Sequence, residues 1–396
     1  MTKRLYYISP STVSWTTTVT NIKKEHNDYL ITLAETAFYP EGGGQPSDLG
    51  TIDNIKVIDV FEEDGEVYHR LPSLPNDNTV NCQIDWHRRL DHTQQHSGQH
   101  LLSAVCIELF DIHTVSFHLG KETVTIDLNI SHLSAQQLKA IEERVNELIY
   151  CNVPVKTYFV SKKEASSLPF RKIPDIEEPI RVVEMQGIDI SACCGTHVNR
   201  TGEIGMIKLL KTEKHRGLTR LHFKCGIRAL ADYSSAHNII TKMAQHLGTN
   251  KETLFDKIVK LEEENKVLLK ELEHLKGELH DFEADKLMQN HHHSLIVQVY
   301  ENKTMKDLQA IAQRITAKQD KVVILATTLE NRLVAAKSGA FSFHIGQLFK
   351  EQQAHFHGKG GGNERQAQMT FTNSTDLTAF MSSLQAEIER LIVLSD

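Results

Sequence analysis

No stretch of the 396-residue sequence approaches the ~20 consecutive apolar residues that a membrane span requires, which excludes a bilayer-crossing helix. The opening MTKRLYYISPSTVSW has neither the apolar core nor the small-residue cleavage site of a secretory signal, so a cytoplasmic address is expected. Excess positive charge is also missing. A formal charge of -7 argues against a protein that coats nucleic acid indiscriminately, because phosphate affinity comes from clustered Lys and Arg. Cysteine is sparse. In a reducing compartment the six scattered thiols (Cys82, Cys106, Cys151, Cys193, Cys194, Cys225) point to metal binding or packing before disulfides. What is present, 40% hydrophobic and 24% charged residues, is the composition of a globular protein, and the length allows two or three domains.

The pattern changes character along the chain. Residues 5 to 88 hold short β-rich runs (WTTTVTNI, DYLITLAETAFY, GTIDNIKVIDVFEEDGEVYHRL) broken by Gly, Asn, Asp and Pro, which predicts an antiparallel barrel over 1–88. Between Asp91 and Phe110 the spacing shifts to three and four, through Leu101, Leu102, Val105, Cys106 and Leu109, so a helix begins there. It opens an α+β domain over 89–231, with strand TVTIDLN, helix SAQQLKAIEERVNELIYC, and a middle punctuated by Pro154, Pro169, Pro174 and Pro179.

In the helical linker over 232–290, Leu254, Ile258, Leu261, Asn265, Leu268, Leu272, Leu275, Leu279 and Phe282 alternate four and three apart. This heptad seam predicts a two-stranded coiled coil in a homodimer with Asn265 fixing register, or a hairpin folded back on residues 235–247. After a solvated connector at His291 to His293, strand-like LIVQVY, KVVILATT and NRLVAAKSG alternate with helical segments, a compact α/β domain over 291–396. The fold class of the whole is α+β.

Histidine is the generous part of the composition, with 22 residues. HTQQHSGQH sets His92, His96 and His100 at four-residue intervals along one helix face. Neighbours can share an ion, but the outer two are separated by roughly 12 Å of helix rise, far more than two Zn–N bonds of about 2.0–2.1 Å allow. The pair is therefore His92 with His96 or His96 with His100. Farther along, ACCGTHV places Cys193 and His197 four apart around a glycine-containing turn, with Cys194 a competing thiolate. Two imidazoles from the helix, with a thiolate and an imidazole from the turn, make a nitrogen and sulfur donor set suited to Zn2+.

The stretches TAFYPEGGGQPSDLG, DWHRRLDHTQQHSGQHLLSAV, TVSFHLG and IRVVEMQGIDISACCGTHVNRTGEIG, in that order, resemble the motifs of AlaX-type alanyl-tRNA editing proteins, freestanding relatives of the alanyl-tRNA synthetase editing domain. The likeness covers most of residues 1–228. HGKGGGNERQAQ resembles the Gly-rich motif of the DHHA1 domain that ends alanyl-tRNA synthetases and the long AlaX class. In that family the helix histidines precede paired leucines, which implies His96, His100, Cys193 and His197 as zinc ligands. The family usually has two glycines after its cysteine, whereas this chain has Cys194 and then Gly195; the four-residue spacing to His197 favours Cys193 over Cys194.

The resemblance implies hydrolysis of the ester joining serine, with glycine as a second candidate, to the 3′ end of alanine tRNA. Thr36 resembles the family's contact to the serine hydroxyl. The EGGGQ loop, Glu41 to Gln45, suits close approach of backbone to ligand, Gln45 is a further catalytic candidate, and His118 is a candidate for positioning water. Such an editor has a physical rationale. A pocket built for alanine rejects glycine poorly, since one methyl is worth only ~1–3 kcal/mol, while a second site can offer a hydrogen bond that only serine completes.

For grip on RNA, Lys208, Lys211, Lys214, Arg216, Arg220, Lys224 and Arg228 stand against one acid, Glu213, between residues 208 and 228. By resemblance Lys359, Gly360, Gly361 and Gly362 help hold the tRNA body; GKGGG lacks the terminal Lys-Ser/Thr of a P-loop, so nucleotide hydrolysis is not implied. A phosphoesterase of the DHH type would need clustered aspartates, and LDHTQQ offers one. A non-catalytic tRNA-binding protein with structural zinc is the competing class.

Overall fold

Strands in the N-terminal region alternate as half-buried strands must: Glu66–Leu71 turns Val67, His69 and Leu71 inward, and Thr79–Ile84 turns Val80, Cys82 and Ile84 inward. In the computed structural model, which describes residues 1–170, 179–353 and 356–394, seven such strands form one antiparallel sheet. Pro174 lies outside the described residues. The two edge strands of that sheet, Ile55–Val57 and Asp59–Glu63, are consecutive in the chain and separated only by Ile58. The sheet therefore curls until its edges nearly meet, a nearly closed barrel around Ile31, Leu33, Phe38, Ile52 and Val60.

The donor helix follows as Trp86–Phe110, beginning at Trp86 and not at Asp91. Its start is set by a cap, not by apolar spacing: the Asp85 carboxylate accepts the Arg88 N–H at 3.1 Å. Arg89, 1% exposed, then ties helix to barrel. Its guanidinium grips the buried Asp48 carboxylate and donates to the carbonyls of Ala37 (2.6 Å) and Pro10 (2.9 Å). The C-terminal half of the helix is apolar, and Leu101, Leu102 and Val105 pack with Ile141, Val145 and Phe223 in one core. That core joins the helix Ala135–Tyr150, capped by a Ser134/Gln137 box, to a four-stranded sheet ordered Thr114–Leu119, Val124–Leu128, Leu218–Cys225, Ile207–His215. A three-stranded sheet, Val155–Val160, Ile180–Met185 and Asp189–Ala192, delivers the chain to Cys193.

The chain divides into two compact units, Met1–His246 and Leu247–Asp396. The second is built on a five-stranded mixed sheet in which Leu295–Tyr300 and Val322–Thr327 run parallel and the other neighbours antiparallel. Alternate residues of its central strands face opposite layers. Val322, Ile324 and Leu333 meet Phe349 and Phe380 on one side, while Val323, Leu325 and Val334 meet Leu308, Ile311 and Leu287 on the other. Leu287 belongs to a single helix, Leu254–Asn290, in which only Leu254, Ala284 and Leu287 are buried. The predicted seam is exposed: Leu268, Leu272, Leu275 and Leu279 show between 47% and 61% of their surface. Among the described residues no helix is long and apolar enough to cross a membrane.

Candidate metal centre

Four side chains converge in the first unit. His96 and His100, one turn apart on the donor helix, meet Cys193 and His197 from the turn after Asp189–Ala192, with their donor atoms all within 4.8 Å of one another. The Cys193 Sγ lies 3.4 Å from both His96 Nε2 and His197 Nε2. Two such atoms sharing a tetrahedral zinc would lie about 3.6 Å apart, given Zn–N near 2.05 Å and Zn–S near 2.3 Å. Gly195 makes the approach feasible, because a Cβ there would sit 2.2 Å from His96 Cε1. The structure brings Cys193 into this group; Cys194 is exposed. His92 is buried on the same helix but outside the group, and burial pushes its imidazole down to about 4.

Each clustered imidazole is held by its other nitrogen. His96 Nδ1 meets the Gln45 carbonyl oxygen at 2.9 Å, His197 Nδ1 meets Ser97 Oγ at 3.1 Å, and His100 Nδ1 meets the Asp189 carboxylate at 3.4 Å. All three rings thereby turn Nε2 toward the common point, the arrangement that orients metal-ligating histidines. Gln45 also accepts the Thr196 N–H (3.1 Å) and donates to the Thr196 hydroxyl (2.9 Å), so it joins the two halves of the site. The glycines before it form a tight turn: Gly42 and Gln45 exchange backbone hydrogen bonds, and Gly43 and Gly44 take φ of 58° and 79°.

Electrostatics favour a thiolate. Burial pushes the Cys193 thiol up, but the electrostatic influence of the surrounding imidazoles, with the hydrogen bond and charge of His100 among them, outweighs it and holds it well below the ordinary value. Burial likewise pushes His100 down, yet its hydrogen bonds to Asp189 and Cys193 prevail and raise it to about 9. His197, dominated by burial, falls to about 3 and is neutral near pH 7. A soft thiolate with three imidazoles is a donor set that fits zinc, and its proton on His100 is one that a bound cation would displace.

The other sequence candidates fall in different places. Thr36 is fully buried, with its Oγ1 2.8 Å from His69 Nε2. His69 Nδ1 faces the Ile31 carbonyl at 3.2 Å and must carry the ring proton, so Nε2 takes the Thr36 hydroxyl proton. The Thr36 oxygen also accepts the Phe38 N–H at 3.1 Å and keeps only acceptor capacity. His118 is exposed on its strand, while its neighbour Phe117 stacks on His96 with ring centroids 5.4 Å apart; alternation sends the two side chains to opposite faces.

The basic segment is less bare than its sequence suggests. Lys208 pairs with Glu142, Lys211 with Glu213, Arg220 with Asp127, Lys224 with Asp232 and Arg228 with Asp91. Lys214 and Arg216 form no ion pair among the described residues and sit exposed at the tip of the hairpin. In the second unit Lys359, Gly360, Gly361 and Gly362 are exposed on the edge strand Gly358–Gly362. Ser97, Asp189, Phe117 and His69 were not singled out by sequence. The i+1 position of Ser97 after His96 and the short step from Asp189 to Cys193 are the only signals that could have found two of them.

Residues 180–222 match the family model described as the threonyl and alanyl tRNA synthetase second additional domain, and residues 292–390 match the DHHA1 domain. The chain is 30% identical over 382 residues to the alanyl-tRNA editing protein AlaX-L of Pyrococcus horikoshii, covering 93% of this chain and 94% of that one. It is 37% identical over 254 residues to an alanyl-tRNA editing protein of Rattus norvegicus, covering 63% and 61%. Alanine–tRNA ligase of Methanococcus maripaludis is 28% identical over 392 residues, 95% of this chain but 42% of the ligase.

Proposed function

The chain belongs to the alanyl-tRNA editing proteins of the AlaX-L type, and from that premise we propose that it removes the wrong amino acid, serine and secondarily glycine, from mischarged alanine tRNA. Water adds to the ester carbonyl, the bond to the ribose oxygen breaks, and free serine and an uncharged 3′ hydroxyl leave. The buried cluster of His96, His100, Cys193 and His197, each imidazole braced from behind, is the observation that supports this reading. Those four residues would hold Zn2+, which supplies Lewis acidity beside the ester.

The chain's own groups divide the remaining work. Gln45 fixes the His96 ring and joins helix to turn. Thr36, with its proton committed to His69, offers only an acceptor, which a serine hydroxyl completes and glycine does not. His118, on the face of its strand opposite Phe117 and the imidazoles, takes no step at the cluster; Lys208, Lys211, Lys214, Arg216 and Arg220 meet phosphates, Lys214 and Arg216 foremost because they form no ion pair among the described residues, and the edge strand with Lys359 to Gly362 grips the tRNA body. We assign the barrel to 1–88, the editing domain to 89–231, the helical linker to 232–290 and the tRNA-binding domain to 291–396. The exposed seam of the long helix pairs two copies as a coiled coil, and the unpaired thiols suit a cytoplasmic address.

A second reading has its own support. Four protein donors close a zinc's coordination, as in structural sites, which suits a tRNA-binding protein without catalysis. Incubation with serine-charged alanine tRNA decides between them. Editing predicts release of free serine by the zinc-loaded chain, abolished in His96→Ala and biased away from serine in Thr36→Val. Serine release no faster than spontaneous hydrolysis, with zinc present and tRNA bound, would establish the second reading.

A further inference from the structure

Arg181, on the strand Ile180–Met185, is 3% exposed. Its Nη1 donates to the carbonyls of Cys193 (2.8 Å) and Gly195 (2.9 Å) in the ligand-bearing turn, and its guanidinium lies over the Tyr7 ring, 4.8 Å from the centroid. Nε and Nη2 are buried and have no hydrogen-bond partner among the described residues. Elsewhere in the same unit arginines close that edge on a carboxylate, Arg144 doing so on Glu108 at 3.1 and 2.9 Å. Arg220 closes Nε and Nη2 on Asp127 at 2.7 and 2.9 Å, Arg228 closes them on Asp91 at 2.7 and 2.6 Å, and Arg89 closes them on Asp48.

The two N–H groups of this edge point the same way and match two oxygens of one carboxylate or phosphate. A guanidinium cannot shed its charge, and neither backbone carbonyls nor a ring face cancel it, so a buried cation in this state gains from an anion. Cys194, between the two accepting carbonyls, is exposed, and so is Phe159, whose ring edges Tyr7 at 5.9 Å. An exposed aromatic beside an arginine is a combination that holds a single-stranded nucleotide.

We propose that the Nε/Nη2 edge of Arg181 binds a phosphodiester of the strand whose 3′ end carries the ester. The inference rests on the hydrolase reading above. On a terminal nucleotide the ester sits on the ribose and the nearest phosphate on the same sugar's 5′ oxygen, so both reach one site. The backbone carbonyl of Cys193 links the arginine to the metal donors, and a phosphate held there would set the ester's distance from them.

The test compares two substrates on the zinc-loaded chain: serine esterified to adenosine, which has no phosphate, and serine esterified to the 3′ end of a CCA trinucleotide. In Arg181→Met the kcat/KM advantage of the trinucleotide should fall by about 10- to 100-fold, mostly through KM, and competition by inorganic phosphate should weaken with it. Arg181→Lys, which keeps the charge without the fork, should fall between. Equal losses on both substrates, accompanied by loss of zinc, would overturn the proposal and leave Arg181 as a brace for the turn. Should the wild type hydrolyse neither ester, the hydrolase reading fails by itself; affinity for the uncharged trinucleotide then decides, with unchanged binding in Arg181→Met and Arg181→Lys overturning the phosphate site.

Discussion

The helix Trp86–Phe110 buries Thr93, Gln94, Gln95, His96, Ser97, Gln99 and His100, whereas the helix Leu254–Asn290 leaves Leu268, Leu272, Leu275 and Leu279 in the open. Both depart from the rule that apolar faces go in and polar faces out, in opposite senses. The first departure is resolved inside its own unit. Gln95 bridges the backbone N–H and carbonyl of Cys225, Gln94 holds the Glu203 carbonyl and the Ile227 N–H, and Thr93 meets Thr196. Every one of these bonds reaches a segment distant in the chain, so these side chains are satisfied and their orientation fixed. The second departure finds no such resolution among the described residues of its unit, and the proposed coiled coil would supply a partner helix. Local rules fail where a chain binds something, and the kind of failure indicates what is bound.

The sharpest blow to the donor helix is Asp48→Ala. Removing the carboxylate that grips buried Arg89 should cost about 3–5 kcal/mol in chemical denaturation; a loss under about 1 kcal/mol would mean that the apolar half of the helix holds it alone. Gln45→Ala tests the brace behind His96. Zinc affinity, measured against a competing chelator, should fall about 10- to 100-fold with little change in melting temperature.

Acid should strain the same unit next. His69 and His92 are both pushed down to about 4 by burial, below the ordinary histidine value of about 6.5. Between those values the unfolded chain binds more protons than the native one, so stability is intact above pH 6.5 and is lost as pH falls toward 4. The slope is at most about 1.4 kcal/mol per pH unit per histidine, and thermal melts of His92→Asn should show a shallower acid decline than wild type. The smallest stability effect belongs to the other helix. Leu272→Glu with Leu275→Glu should leave the monomer's stability within about 0.5 kcal/mol per site, yet abolish the dimer that sedimentation of the wild type is expected to show; a wild-type chain that sediments as a monomer at micromolar concentration would remove the coiled coil.

What could be read from sequence was what repeats or sits close in the chain. The four-residue steps in HTQQHSGQH and ACCGTHV gathered the candidate donors, the family resemblance chose His96 with His100 among them, short β-rich runs pointed to the barrel, and three-four spacing pointed to both helices. What could not be read depends on contacts between distant segments. Glu142, Asp127, Asp232 and Asp91 neutralise cations that look bare within 208–228, because none of the four lies in that window before folding. Gln45 is 51 residues from His96, so its brace is invisible until the barrel docks on the helix. His118 illustrates a finer limit. Sequence located the strand, but only the structure shows that Phe117 is the residue facing the imidazoles.

Zinc content of the purified chain beside Cys193→Ala, Cys194→Ala and His96→Ala bears most directly on the central claim that four side chains hold one ion. A single zinc in the wild type, kept by Cys194→Ala and lost from Cys193→Ala and His96→Ala, is the predicted result. Zinc kept by Cys193→Ala and lost from Cys194→Ala would contradict it.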